Sequence, residues 1–118
     1  MTTPTNATHS MRFSPDELLS GMLATVDGND FPADQPTLRA MFAEIATEFP
    51  LFAPFTAVDD AVQRAIGVLA GRKSLVLGGE RYTLTTEGRA ACVSSKRTLF
   101  NRDDCNQLDG AAAVFSAA

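Results

Sequence analysis

The stretch "LVLGGERYTLTTEGRAACV", Leu75 to Val93, decides how this chain is read. Ser74 to Leu77 and Arg81 to Thr85 are β-branched or aromatic runs separated by Gly78-Gly79-Glu80, the composition of a short antiparallel hairpin. Thr85 and Thr86 then stand where a helix needs its N-cap, ahead of the run "EGRAACVSSKRTLF". Almost everything around this hairpin is patterned as helix, so the question is what a single hairpin does in such a chain.

Upstream lie three helical patterns. In "SPDELLSGMLATVDGND" Ser14 is the N-cap, Pro15 the first helical residue and Glu17 the third, with Leu18, Leu19, Met22, Leu23 and Val26 at helical spacing before an Asp27-Gly28-Asn29 stop. A second helix opens at Asp34, with Pro36 in its first turn and a stripe of Leu38, Met41, Phe42, Ile45 and Phe49. Pro50 and Pro54 bracket "LFAPF", which reads as a loop whose Leu51, Phe52 and Phe55 plug a gap between helices, because three large apolar side chains do not rest in water. A third helix is predicted to start at the Thr56 cap and run from Ala57 to Ala70 with Val58, Val62, Ala65, Ile66 and Leu69 inward, ending at Gly71. Beyond the hairpin and its following helix, a last helix is predicted from Asp103 or Asp104. Its Cys105, Leu108, Ala112 and Phe115 form a narrow apolar seam.

The order helix, helix, helix, hairpin, helix resembles the winged helix-turn-helix superfamily, in which the hairpin after the third helix is the wing. "RYTLTTEGRAA", Arg81 to Ala91, is similar to the aromatic-x-Leu-Thr-x-x-Gly-Arg passage by which many bacterial regulators of that class leave the wing. The resemblance covers Ser14 to Val93. It implies an α+β, mainly helical fold of three helices, a two-stranded wing and C-terminal helices, with the winged-helix domain over 14–93 and a helical extension over 94–118; residues 1–13, rich in Thr, Ser, Asn and Pro, read as a flexible tail.

The same resemblance makes the third helix and the wing the DNA-contacting elements, with Gln63, Arg64, Arg72, Lys73 and Arg81 as the nucleic-acid-binding residues and double-stranded DNA as partner. Two carboxylates, Asp59 and Asp60, stand at the start of that helix and oppose a phosphate-lined groove; they also favour a helix N-terminus electrostatically. Arg81 beside the Gly78-Gly79 tip suits a backbone or minor-groove contact, and equally suits an edge-protecting charge. Helices beyond the wing often form a two-fold dimer in such proteins, which makes Cys105, Leu108, Ala112 and Phe115 a candidate homodimer interface; the alternative is that this helix completes its own core.

Composition narrows the function classes. The 118 residues are 45% apolar and fit one modest core. The net charge of -4 is segregated: nine acids against two bases up to Gln63, eight bases against two acids from Arg64 to Arg102, then three acids in the tail. Such a dipolar chain can steer a polyanion to one face, or fold into an evenly solvated surface. Two cysteines, Cys92 and Cys105, and one histidine, His9, make neither a disulfide framework nor a metal cluster, so no metal and no cofactor is expected. No apolar run approaches membrane-span length and no export signal opens the chain, which predicts a cytoplasmic protein and makes the acceptor triplet Asn6-Ala7-Thr8 a chance match. "GRKS", Gly71 to Ser74, echoes a phosphate-binding loop but leaves a helix and enters a strand, the reverse of that motif. With His9 in the tail, no Ser/His or Cys/His pair has its base on the folded core and the carboxylates fall at capping positions, so no enzyme is expected. The expected function is a small DNA-binding regulator or accessory factor. Its rival is a winged-helix protein-interaction module that does not bind DNA.

Overall fold

The computed structural model describes residues 13–26, 28–57 and 60–117. Asn6, His9, Val58 and Asp59 lie outside the described residues. The elements run α1 (Pro15–Leu23), β1 (Asp30–Pro32), α2 (Gln35–Glu48), a 3-10 turn (Pro50–Phe52), α3 (Pro54–Ala57), α4 (Ala61–Gly71), β2 (Leu75–Gly78), β3 (Arg81–Leu84), α5 (Thr86–Leu99) and α6 (Arg102–Ala117). The class is α+β and mostly helical, with one small antiparallel sheet.

Local chemistry places the ends of these elements. At α1 the Glu17 carboxylate accepts from the Ser14 N–H at 2.9 Å, half of a capping box that ties down one orphan donor. Asp34 caps α2 by accepting from the Thr37 N–H at 3.1 Å, and Pro36 sits in the first turn where its missing donor is not needed. Asn101 and Asp104 cap the start of α6 reciprocally, each side chain accepting from the other's backbone N–H at 2.8 and 3.2 Å. Helices α1 and α2 thus begin where the sequence predicts.

The third helix does not form as one piece. Thr56 belongs to the short α3 and its hydroxyl donates back to the Ala53 carbonyl at 3.1 Å, so it caps nothing downstream. The "LFAPF" segment is the plug expected of it, but is coiled into helical turns rather than a loop. Phe52 and Phe55 are buried, and Phe55 stacks on Phe42 at 4.4 Å between centroids. Anchored there, the chain must turn again before α4, and it does so through Asp60 in the left-handed region at φ 56°.

The sheet has a strand that the sequence reading lacks. β1 pairs with β3, giving the order β1-β3-β2, with Phe31 opposite Tyr82 and Leu77 opposite Tyr82 from the other side. Three residues containing a proline give no periodic signal, and Asp30-Phe31-Pro32 becomes a strand only because Phe31 is buried beneath the hairpin.

Phe13 also departs from the expected tail, since its ring lies 4.5 Å from that of Phe100. The C-terminal helix is no appendage either. Leu108, Ala111, Ala112 and Phe115 belong to the same cluster as Leu18, Phe42 and Leu69. Phe115 meets Phe31 edge-on at 5.3 Å and Phe42 at 5.6 Å, joining the sheet to α2. α6 also comes close to α1, where a Cβ on Gly21 would lie 2.8 Å from a Leu108 methyl. The seam proposed from sequence as a homodimer interface is therefore used inside the chain: Leu108, Ala112 and Phe115 are buried and Cys105 half-buried. Its narrowness is that of a helix filling a groove between α1 and α2. Leu108→Asp should accordingly unfold the protein, by more than about 4 kcal/mol in chemical denaturation, rather than release folded monomers.

Candidate nucleic-acid interface

The junction that carries the Thr-x-x-Gly-Arg passage holds the hairpin against the helices. Thr85 N-caps α5, its hydroxyl accepting from the Gly88 N–H at 2.9 Å, while its own N–H donates to the Ser74 carbonyl at 2.9 Å. Gly88 packs directly on Ser74: a Cβ there would sit 2.5 Å from the Ser74 carbonyl oxygen, closer than any real contact. Arg89 then reaches back across α1. Its guanidinium donates to the carbonyls of Leu23, Ala24, Val26 and Gly28 and to the Asn29 side chain, at 3.0 to 3.4 Å apart from a shorter bond to Gly28. Those carbonyls include the unsatisfied acceptors at the end of α1, where a cation is also favoured by the helix dipole. Arg89 is thus a clamp, and the positive charge counted for it in the sequence is turned inward.

Of the five residues predicted to bind nucleic acid, Gln63 and Arg64 come together on one exposed face of α4. Ala61, Val62, Ala65, Ile66 and Leu69 are buried on the other. The exposed face continues through Gly67, Val68 and Gly71, and the two glycines leave it flat.

Arg72 and Lys73 lie at the C-terminal end of α4. Arg72 is directed to Asp16 of α1, 3.9 Å away. Lys73 closes a Schellman turn: its N–H donates to the Ala70 carbonyl and that of Ser74 to Leu69. This puts Lys73 at φ 62°, a conformation for which glycine is preferred. The helix ends at Gly71 as the sequence predicts, and the left-handed residue that follows is Lys73, because the turn must deliver Ser74 to Thr85 and Gly88.

Arg81 stands on β3 beside the tip, opposite Gly78, and is drawn toward β1 by Asp30 at 3.2 Å. At the other end of α4, Asp60 pairs with Arg39 of α2 at 3.5 Å. These pairs are half or more exposed on at least one side, so each is worth well under about 1 kcal/mol and either cation can exchange its partner for a phosphate. Arg64 and Lys73 are exposed and make no ion pair with a described residue. The pairings of Asp16, Asp30 and Arg39 were not legible in the sequence, since each joins segments more than twenty residues apart through contacts that only the fold creates.

Cys92 is buried under α1, and burial pushes its thiol up, against a smaller opposing effect of the Ser20 hydrogen bond. It stays protonated at neutral pH and packs as a small apolar residue. Among the described residues, no group of three or more acidic, histidine or cysteine side chains could hold a metal ion, and no helix is long and apolar enough to cross a membrane.

Two variants test the junction. Gly88→Ala should cost about 2 kcal/mol or more, because its new methyl meets backbone rather than a side chain that can move. Arg89→Met should cost a similar amount, about 2 kcal/mol, by stranding the carbonyls of the α1 end. Urea unfolding followed by circular dichroism measures both.

Comparison with known proteins adds no relative: no family model, no curated protein and no solved structure matches the chain.

Proposed function

We propose that this protein is a winged-helix DNA-binding protein, a transcriptional regulator or accessory factor that meets duplex DNA through the exposed face of α4 and the β2–β3 wing. The observation that carries this reading is the exposed face of α4, which has no partner among the described residues. A helix whose opposite side is wholly buried presents Gln63, Arg64, Gly67 and Val68 outward, flat enough for close approach, and is followed at once by a hairpin. Support also comes from β1, which lies between the first two helices in sequence and buttresses the hairpin at β3.

The chemistry required is modest. Gln63 can present both donor and acceptor to an adenine edge, and Arg64 can bind a guanine edge or a phosphate. Lys73 follows at the far end of α4, where it can neutralise backbone phosphate about 13 Å along the axis from Arg64 at 1.5 Å per residue. Arg72 and Arg81 add contacts by leaving Asp16 and Asp30. Asp60 opposes binding, because it places a carboxylate at the end of the helix that would approach the groove.

Fluorescence anisotropy on a labelled random duplex tests the reading. Two to four phosphate contacts per protomer should give a log-log salt slope of roughly -2 to -4, and Arg64→Ala should flatten it by about one unit if Arg64 meets phosphate. Asp60→Asn should tighten binding, since it removes a repulsive charge and asparagine tolerates the left-handed backbone. Lys73→Gly should weaken binding while stabilising the fold by about 1 kcal/mol, separating the cation's role from that of the turn. A folded wild type that binds no duplex at low salt, random or selected from a sequence library, would exclude this function and leave the protein-interaction module.

A further inference from the structure

We propose that the free edge of β2 is a contact between two copies of this chain, whose β2 strands pair antiparallel about Val76 and join the two three-stranded sheets into one. The two edges of the sheet differ in kind. β1 carries Pro32, which has no N–H to offer, and Asp30, a charge at its start; both discourage another strand from adding. β2 is Leu75-Val76-Leu77-Gly78, with no charge, no proline and, among the described residues, no further strand on its outer side. Its Val76 and Leu77 are 52% and 57% exposed, the most exposed large apolar side chains among the described residues.

Hydrogen-bond parity says which groups point outward. Gly78 and Arg81 close the two-residue turn of the hairpin and bond to each other, so Val76 bonds to Thr83 and the intervening positions do not bond across. The Leu84 N–H confirms the alternation, because it donates at 2.6 Å to Asn29 on the opposite side rather than to Leu75. The backbone groups of Leu75 and Leu77 therefore face the free edge.

Only residues that both face outward can bond in a new antiparallel ladder, and of the symmetric registers this allows, the one with its axis between the two Val76 residues bonds Leu75 of one copy with Leu77 of the other. That register covers both exposed side chains at once. The two Val76 side chains meet on one face, and each Leu77 lies beside the other copy's Leu75 on the core-side face. Charge agrees with the geometry: the register brings Glu80 at the tip of one hairpin to Arg72 and Lys73 at the base of the other, and opposes no like charges. Shifting by one ladder step would set Val76 against Gly78 and move Glu80 to Ser74.

Sedimentation velocity on the full chain over a concentration series tests this independently of any DNA measurement. The wild type should approach twice the chain mass at high concentration. Leu77→Lys, at an exposed position where it leaves the core intact, should weaken the dimer by at least about tenfold with an unchanged circular dichroism spectrum. Glu80→Lys should weaken it too, and adding Lys73→Glu to Glu80→Lys should restore it. Amide exchange at Leu75 and Leu77 should slow as concentration rises. A wild type that stays monomeric, or a dimer indifferent to Leu77→Lys, overturns the proposal; a double variant no tighter than Glu80→Lys alone overturns its register.

Discussion

The structure hangs on the contact between Gly88 and Ser74, with Arg89 behind it. At that point the end of α4, the start of β2, the end of β3 and the start of α5 meet within one residue's width. A glycine is required because the Ser74 carbonyl occupies the space of a Cβ. Because Ser74 accepts from Thr85 while Thr85 caps α5, the hairpin cannot shift register without uncapping the helix. Arg89 extends the constraint to α1 by satisfying several carbonyls of its last turn and the loop after it. The passage Thr-x-x-Gly-Arg is thus a structural joint, and its arginine is engaged with backbone carbonyls even though it lies in the most basic part of the chain.

Fixing this joint explains the neighbouring irregularities. The chain leaves α4 after Gly71 through a left-handed turn at Lys73, since Ser74 has to arrive at Gly88 in the right orientation. The loop tied by Arg89 runs straight into β1, which lies along β3 and supplies Asp30 to Arg81. Electrostatics follow from the same geometry. The basic segment from Arg64 to Arg102 is not a uniform patch: Arg89 is inward, Lys96 bonds Thr25 and Asp109, and Arg72 and Arg81 face acids from the N-terminal half. Arg64 in the first turn of α4 and Lys73 just past its end are the cations there that pair with no acid among the described residues.

Two surfaces have no partner among the described residues, and they adjoin. The polar face of α4 carries side chains suited to base edges and phosphate, and the β2 edge carries apolar side chains and open backbone groups. Only a short turn separates them. A dimer formed through β2 would bring two α4 helices and two hairpin tips into one symmetric body, the form in which a two-fold protein reads a two-fold site.

The sequence by itself determined the elements whose signals are local. Capping residues at Ser14, Asp34 and Thr85, apolar stripes in α1 and α2, and the glycine-tipped hairpin all act within a few residues of where they are written. It also foretold that Phe52 and Phe55 would be buried, because no arrangement leaves them stably in water. What only tertiary structure decided was everything that depends on a distant partner. β1 is a strand because β3 lies beside it; the third helix breaks because Phe55 is held by Phe42; the seam of α6 is internal because α1 and α2 leave a groove of its width. Charge showed the same division. The sequence displayed how many cations the second half carries, whereas which of them face solvent depended on acids brought from the first half across contacts that no local pattern encodes.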